Sequence, residues 1–179
     1  DHAWYGVNGA TGLLQASLLA MVKPGQGVLM PRNVHKSLIQ ACVLGDLIPI
    51  FFDVPFCRER GHNYPPNESW IKTIIEQLPV SDQEIGAAVL VHPTYHGYAE
   101  DISTIIKLLH SKDWPVLVDE AHGSHFAFAE DNTLPESAIK CGADLVVHSL
   151  HKSALGLSQT AVLWLQGDRI DPQRVERSI

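Results

Sequence analysis

The sequence predicts an α/β protein, a mostly parallel sheet covered by helices on both faces. Short apolar runs rich in β-branched residues, among them Ala87-Ala88-Val89-Leu90-Val91, Val116-Leu117-Val118 and Leu145-Val146-Val147, alternate with amphipathic stretches of helical period. Runs without polar alternation suit strands buried on both faces, and helical connections between them make neighbouring strands parallel. The residues just after these runs are polar and of few chemical types, as they are where ligands bind at the carboxyl ends of parallel strands.

A chain of 179 residues holds one domain with a sizeable core, and 45% hydrophobic with 18% charged residues is a globular composition. Thirteen basic against 20 acidic residues give a net charge of −7, which argues against a nucleic-acid partner and against an anionic membrane surface. A small molecule is the expected ligand. No apolar run approaches the roughly 18 residues of a spanning helix, and no charged segment with a cleavage site opens the chain, so cytoplasm is the expected location. Cys42, Cys57 and Cys141 are scattered and form no CxxC pair; they read as small core residues rather than disulfide or zinc ligands. The chain begins at Asp1 rather than Met, and Arg174 to Ile179 reads as a helix cut short, so a fragment is expected.

In chain order, Val7-Asn8-Gly9-Ala10-Thr11-Gly12 precedes a helix from Leu13 to Met21 that is apolar nearly all round and therefore buried. A glycine-rich turn at a helix start offers free N–H groups and the positive end of the dipole, a cradle for phosphate; short Asn-Gly turns that merely cap helices are also common. Pro24-Gly25 ends the helix, and Gly27 to Met30 is a strand leading to Pro31-Arg32-Asn33-Val34-His35-Lys36-Ser37. His35 stands between that strand and a helix from Ser37 to Leu44, placed either to cap the helix or to stack on a flat ligand. Ile48 to Phe52 is a strand whose Pro49 marks it as an edge, and Asp53 to Pro66 is a surface loop. Asn67 caps a helix with Ile71, Ile74, Ile75 and Leu78 on one face, and Asp101 caps another with Ile102, Ile105, Ile106 and Leu109. Strand Thr160 to Trp164 closes the reading.

Two strand ends carry the chemistry. Val116 to Val118 runs into Asp119-Glu120-Ala121-His122-Gly123, and Ala143 to Val147 runs into Ser149-Leu150-His151-Lys152. An amine at one strand end and a carboxylate at another are the minimal kit for pyridoxal phosphate (PLP), in which the lysine bonds the aldehyde and the carboxylate keeps the pyridine nitrogen protonated. A rival reading takes the ten histidines, with pairs His92/His96, His122/His125 and His148/His151, as a zinc or iron site. It is weaker, because the pairs fall in loops and Lys152 and the Asn8 turn would be left without a role; no metal is expected.

These motifs, Val7 to Gly12, Pro31 to Ser37, Pro93-Thr94-Tyr95-His96-Gly97, Asp119 to Phe126 and His148 to Lys152, resemble the large domain of the Orn/Lys/Arg decarboxylases, PLP enzymes of the aspartate-aminotransferase fold. The resemblance implies decarboxylation of a basic amino acid to its amine, in polyamine biosynthesis, with Lys152, Asp119, His122 and His151 at the reacting centre. It implies a PLP site of Ala10, Thr11, Gly12, His35, Asp119, Ala121, Ser149 and Lys152: Ala10, Thr11 and Ser149 on the phosphate, His35 and Ala121 on the two ring faces. Asp119-Glu120-Ala121-His122 resembles the shorter, stand-alone members more than the large inducible ones, which carry tryptophan in place of His122. Residues 1–179 would then be a partial PLP-binding large domain lacking its N-terminal segment and C-terminal domain, inactive by itself and a homodimer or higher oligomer when complete. Aminotransferases and lyases share the same lysine and aspartate, so another PLP reaction, or PLP binding without turnover, stays open.

Overall fold

A computed structural model describes residues 1–129 and 133–179. Its strands are β1 (His2–Gly6), β2 (Gly27–Pro31), β3 (Ile48–Phe52), β4 (Phe56–Cys57), β5 (His62–Asn63), β6 (Ile85–Val91), β7 (Val116–Asp119), β8 (Leu145–Ser149) and β9 (Ala161–Leu165). Its helices are α1 (Ala10–Met21), α2 (Lys36–Gly45), α3 (Glu68–Glu76), α4 (Ser103–His110), α5 (Leu150–Ser153) and α6 (Pro172–Ser178). Seven strands form one sheet in the order β1-β9-β8-β7-β6-β2-β3. Pairs β2/β3, β2/β6, β6/β7 and β7/β8 are parallel, whereas β9 runs antiparallel to both β8 and β1. The expected mostly parallel sheet is therefore present, with the Pro49 strand on an edge.

Each buried strand divides its side chains between two cores. Val28, Met30, Val89, Leu117, Val147 and Leu163 pack with Leu13, Leu14 and Leu18 of α1, Leu38 of α2 and Val175 of α6. Leu29, Ala88, Leu90, Val116, Val118 and Val146 pack with Ile71 of α3 and Ile105, Ile106 and Leu109 of α4. Alternation along a strand produces the split, and the continuous apolar runs are its sequence trace. Each of the fully buried leucines and isoleucines stabilises the fold by about 1.5–3 kcal/mol.

Asn67 caps α3 as expected, its Oδ1 accepting from the Trp70 N–H at 3.0 Å. Asp101 Oδ1 accepts from the Ser103 N–H at 2.8 Å but lies one residue before the N-cap of α4, which is Ile102. Cys42 and Cys141 are buried, and burial pushes both thiols up to about 11; Cys57 is half-buried in β4, not a core residue. Two elements depart from the sequence reading. The Asp53–Pro66 segment contains the β4/β5 hairpin, and His2–Gly6, for which the sequence predicts no element, is an edge strand. In β1 Ala3 and Tyr5 are exposed and Trp4 and Gly6 half-buried, and the strand is held by its pairing with β9.

Chain order reverses between β2 and β6: β2 leads outward to β3, while β6, β7 and β8 step the other way. The carboxyl ends of strands flanking such a reversal form a crevice, and α1 points its N-terminus at it.

Candidate active site

A cavity of about 460 Å³ opens at the ends of β2, β6, β7 and β8 beside the start of α1. Ala10, Thr11, His35, Asp119, Ala121, His122, Ser149, His151 and Lys152 all line it. Of the site residues expected from the sequence, Gly12 alone does not.

At the start of α1 no side chain caps the first turn and no acidic residue lies in it, so the free N–H groups and the dipole are available to an anion. Gly9, at the N-cap, has φ 75° and ψ −175°, a conformation open essentially to glycine alone. A Cβ there would stand 2.8 Å from Gln159 Nε2, which donates to Asn8 O at 3.0 Å. At Gly12 a Cβ would meet nothing within 4 Å. The turn depends on Gly9, and Gly12 brings only its backbone.

Asp119 ends β7 on the α1 face and is 8% exposed. Among the described residues its carboxylate has one hydrogen bond, from the Ala121 N–H to Oδ1 at 3.2 Å. Burial holds the carboxyl above the usual carboxylate range, with the Ala121 N–H, His35 and Lys152 pulling the other way. Lys152 Nζ lies 3.2 Å from His122 Nε2. Burial, then the positive charges of Lys152 and His35, depress the His122 imidazole. The Lys152 side chain itself is exposed.

His35 unites both sequence readings: it is the N-cap of α2, its Nδ1 accepting from the Ser37 N–H at 3.3 Å, and its ring lines the cavity. Ser149 is fully buried at the end of β8, with Oγ 3.3 Å from His151 Nδ1, which also accepts from the Thr160 N–H at 3.2 Å. His151 is thus tied to the start of β9. Ala121 is buried on the wall. Three lining residues escaped sequence reasoning: Gln159, Tyr95 and Asn33, whose Oδ1 is buried without a partner among the described residues. Tyr95 and Asn33 lie inside the quoted motifs; Gln159 has no local signal.

Among the described residues no three His, Cys, Asp or Glu side chains form a metal-holding group. Asp119 is the sole carboxylate among the lining residues, facing Lys36, Lys152 and several imidazoles. The lining thus sets uncapped N–H groups and basic side chains beside one buried carboxylate.

Residues 1–179 match the family described as Orn/Lys/Arg decarboxylase, major domain. The chain is 35% identical over 176 residues to an arginine decarboxylase of Bacillus subtilis, covering 98% of this chain and 35% of that protein. An arginine decarboxylase of Halalkalibacterium halodurans is 33% identical over 179 residues, covering all of this chain and 35% of that protein. The chain thus spans about a third of the length of these relatives. The solved PLP-dependent protein YhfS of Escherichia coli superimposes with a TM-score of 0.67 at 17% identity, covering 99% of this chain and 42% of that one.

Proposed function

Because the chain belongs to the Orn/Lys/Arg decarboxylase family, we propose that the protein it comes from uses PLP to decarboxylate arginine, lysine or ornithine to the corresponding amine and carbon dioxide, a step toward polyamines. The observation that carries this is a single cavity shared by Asp119, a buried carboxylate with one hydrogen bond, Lys152, and the uncapped start of α1. PLP presents a phosphate, a basic ring nitrogen and an aldehyde, and the lining residues supply a partner for each. When bound, PLP takes up the electron pair left at the substrate's Cα as carbon dioxide departs.

The chain's own residues divide the remaining work. Free N–H groups at Ala10, Thr11 and Gly12, with the Thr11 and Ser149 hydroxyls, would hold the phosphate. Asp119 would hold a proton on the ring nitrogen, an opposite charge that also relieves its own burial. His35, fixed by its cap bond, and Ala121 would bound the flat ring. His122 Nε2, 3.2 Å from Lys152 Nζ, would orient the lysine amine, and His151 borders the same space.

Residues 1–179 are read as part of the PLP-binding large domain of a cytoplasmic homodimer or higher oligomer. In support, Tyr5, Val7, Tyr95, Leu155 and Leu157 leave apolar side chains largely exposed, several of them close in sequence to pocket-lining residues. Borohydride reduction of the complete protein with PLP, followed by peptide mapping, is expected to place the cofactor on Lys152. A label on Lys107 or Lys140 overturns that role. Carbon dioxide is expected from one of the three amino acids and not from residues 1–179 alone; keto-acid formation without carbon dioxide would make the enzyme a transferase.

A further inference from the structure

Behind the cavity, on the opposite face of the sheet, lies a buried polar cluster to which none of the roles above falls. Strand alternation sends Leu117, Asp119, Val147 and Ser149 toward α1, and Val118, Glu120, Val146 and His148 to the other side. Glu120 is fully buried: Oε2 is 2.6 Å from His148 Nε2 and accepts from Ser137 Oγ at 2.7 Å, and Oε1 accepts from the Ala138 N–H at 2.8 Å. His148 Nδ1 accepts from Trp164 Nε1 at 3.1 Å. An indole N–H only donates, so the His148 proton sits on Nε2 and is given to Glu120. The chain Trp164, His148, Glu120 thus has one polarity throughout. His92 Nε2, 3.8 Å from Glu120 Oε1, lies nearer Glu136 O at 3.2 Å.

We propose that Glu120 and His148 are positioning residues, a clamp that ties the ends of β7 and β8 from behind so that Asp119 and the Ser149–Lys152 turn meet one ligand at a fixed spacing. Each member is the direct chain neighbour of a site residue, Glu120 of Asp119 and His148 of Ser149. The backbone bond from the Glu120 N–H to Val147 O at 3.1 Å completes the tie. An apolar pair would fill the same space with less desolvation, whereas a short directional hydrogen bond adds a preferred geometry to the contact between the two strand ends. The inference rests on the PLP reading of the cavity.

Glutamine in place of Glu120 is nearly isosteric but puts an NH2 group where the carboxylate had an acceptor. That group faces the Ala138 N–H if the amide oxygen keeps His148, or faces His148 Nε2 and drives its proton to Nδ1 against the Trp164 N–H. In the complete protein stripped of PLP, ¹⁵N NMR of histidine is expected to show His148 protonated on Nε2. PLP titration is expected to show Glu120→Gln weakened about tenfold, or 1.4 kcal/mol. Glu120→Gln/Trp164→Phe should recover most of that loss, since Nδ1 no longer faces a donor. Asp144→Asn, which cuts another buried network far from the cavity, should lower the melting temperature with PLP affinity unchanged. If Glu120→Gln does not fold, Trp164→Phe alone should show a second ¹⁵N state of His148 and measurably weaker PLP binding. Wild-type affinity in the variants that fold, or an equal loss in Asp144→Asn, overturns the clamp. A wild-type protein that takes up no PLP overturns the functional reading, and the clamp with it; PLP uptake with unchanged variants ends the clamp alone.

Discussion

Two buried aspartates sit at opposite ends of the same parallel strands. Asp144, just before β8 at the amino end, is 2% exposed and accepts from the Val116 N–H and from His110 Nε2, each at 2.7 Å, with Arg169 Nη1 3.6 Å away. The Asp119 carboxylate, ending β7 at the carboxyl end, has one hydrogen bond among the described residues, at 3.2 Å, from its near neighbour Ala121. Burial is similar, and what differs is unused hydrogen-bonding capacity. A satisfied buried carboxylate is scaffold, whereas one left almost unpartnered is a standing cost that only a ligand offsets. The amino end of the sheet is closed by its own side chains; the carboxyl end is left open for chemistry.

Asparagine at each position tests this contrast most severely. Asp119→Asn in the complete protein should reduce turnover by about three orders of magnitude or more, yet raise the melting temperature of the cofactor-free form, because an uncomfortable charge is removed. Asp144→Asn should do the reverse, leaving turnover per folded molecule intact and destabilising by about 1–3 kcal/mol. Kinetics beside calorimetry on both variants decide it, and a destabilised cofactor-free Asp119→Asn would end the comparison.

The anion cradle at α1 offers a finer contrast between two glycines. Gly9→Ala should weaken PLP by about 1–3 kcal/mol through backbone strain and crowding against Gln159, whereas Gly12→Ala, whose methyl meets open space, should bind as wild type and gain helix stability. Thr11→Ala should lose on the order of 1 to 3 kcal/mol if its hydroxyl meets the phosphate. Titrations with equal losses at Gly9 and Gly12 would move the cradle elsewhere.

Smallest in size is the acid response of the cofactor-free protein. Burial, opposed by Glu120, depresses His92, and burial with Lys152 and His35 depresses His122. Both stay neutral in the fold while the unfolded chain takes up protons, so stability is unaffected above about pH 6.5 and falls as the pH drops below it. Asp119 has the opposite sign: its raised carboxyl costs stability fully above the folded pKa, and that cost fades as pH falls through the folded value toward about 3.9. Melting curves should therefore decline below about pH 6.5, with His92→Gln flattening the decline more than His122→Gln because His92 is the more buried. An unchanged slope in both variants would show that other groups govern the acid limb.

Much of this architecture is legible in the sequence, because strand and helix periods are local. The runs around Val89, Leu117 and Val146 needed only their neighbours to read as buried strands, and the stripes Ile71-Ile74-Ile75-Leu78 and Ile102-Ile105-Ile106-Leu109 to read as helices on a sheet. Residues after strand ends were equally accessible, which is why Asp119, Ser149 and Lys152 could be singled out together and indeed line one cavity. What tertiary structure alone decided is everything set by pairing at long range. Edge strand β1 exists because β9 lies beside it, and Gly9 rather than Gly12 is the demanding glycine because Gln159, distant in sequence, occupies the space its side chain would need. Asp119 and Glu120 are adjacent carboxylates that no local pattern distinguishes. The pleat turns one into an open cavity and the other onto Ser137 and His148, so their different fates follow from which groups the fold brings to each face of the sheet.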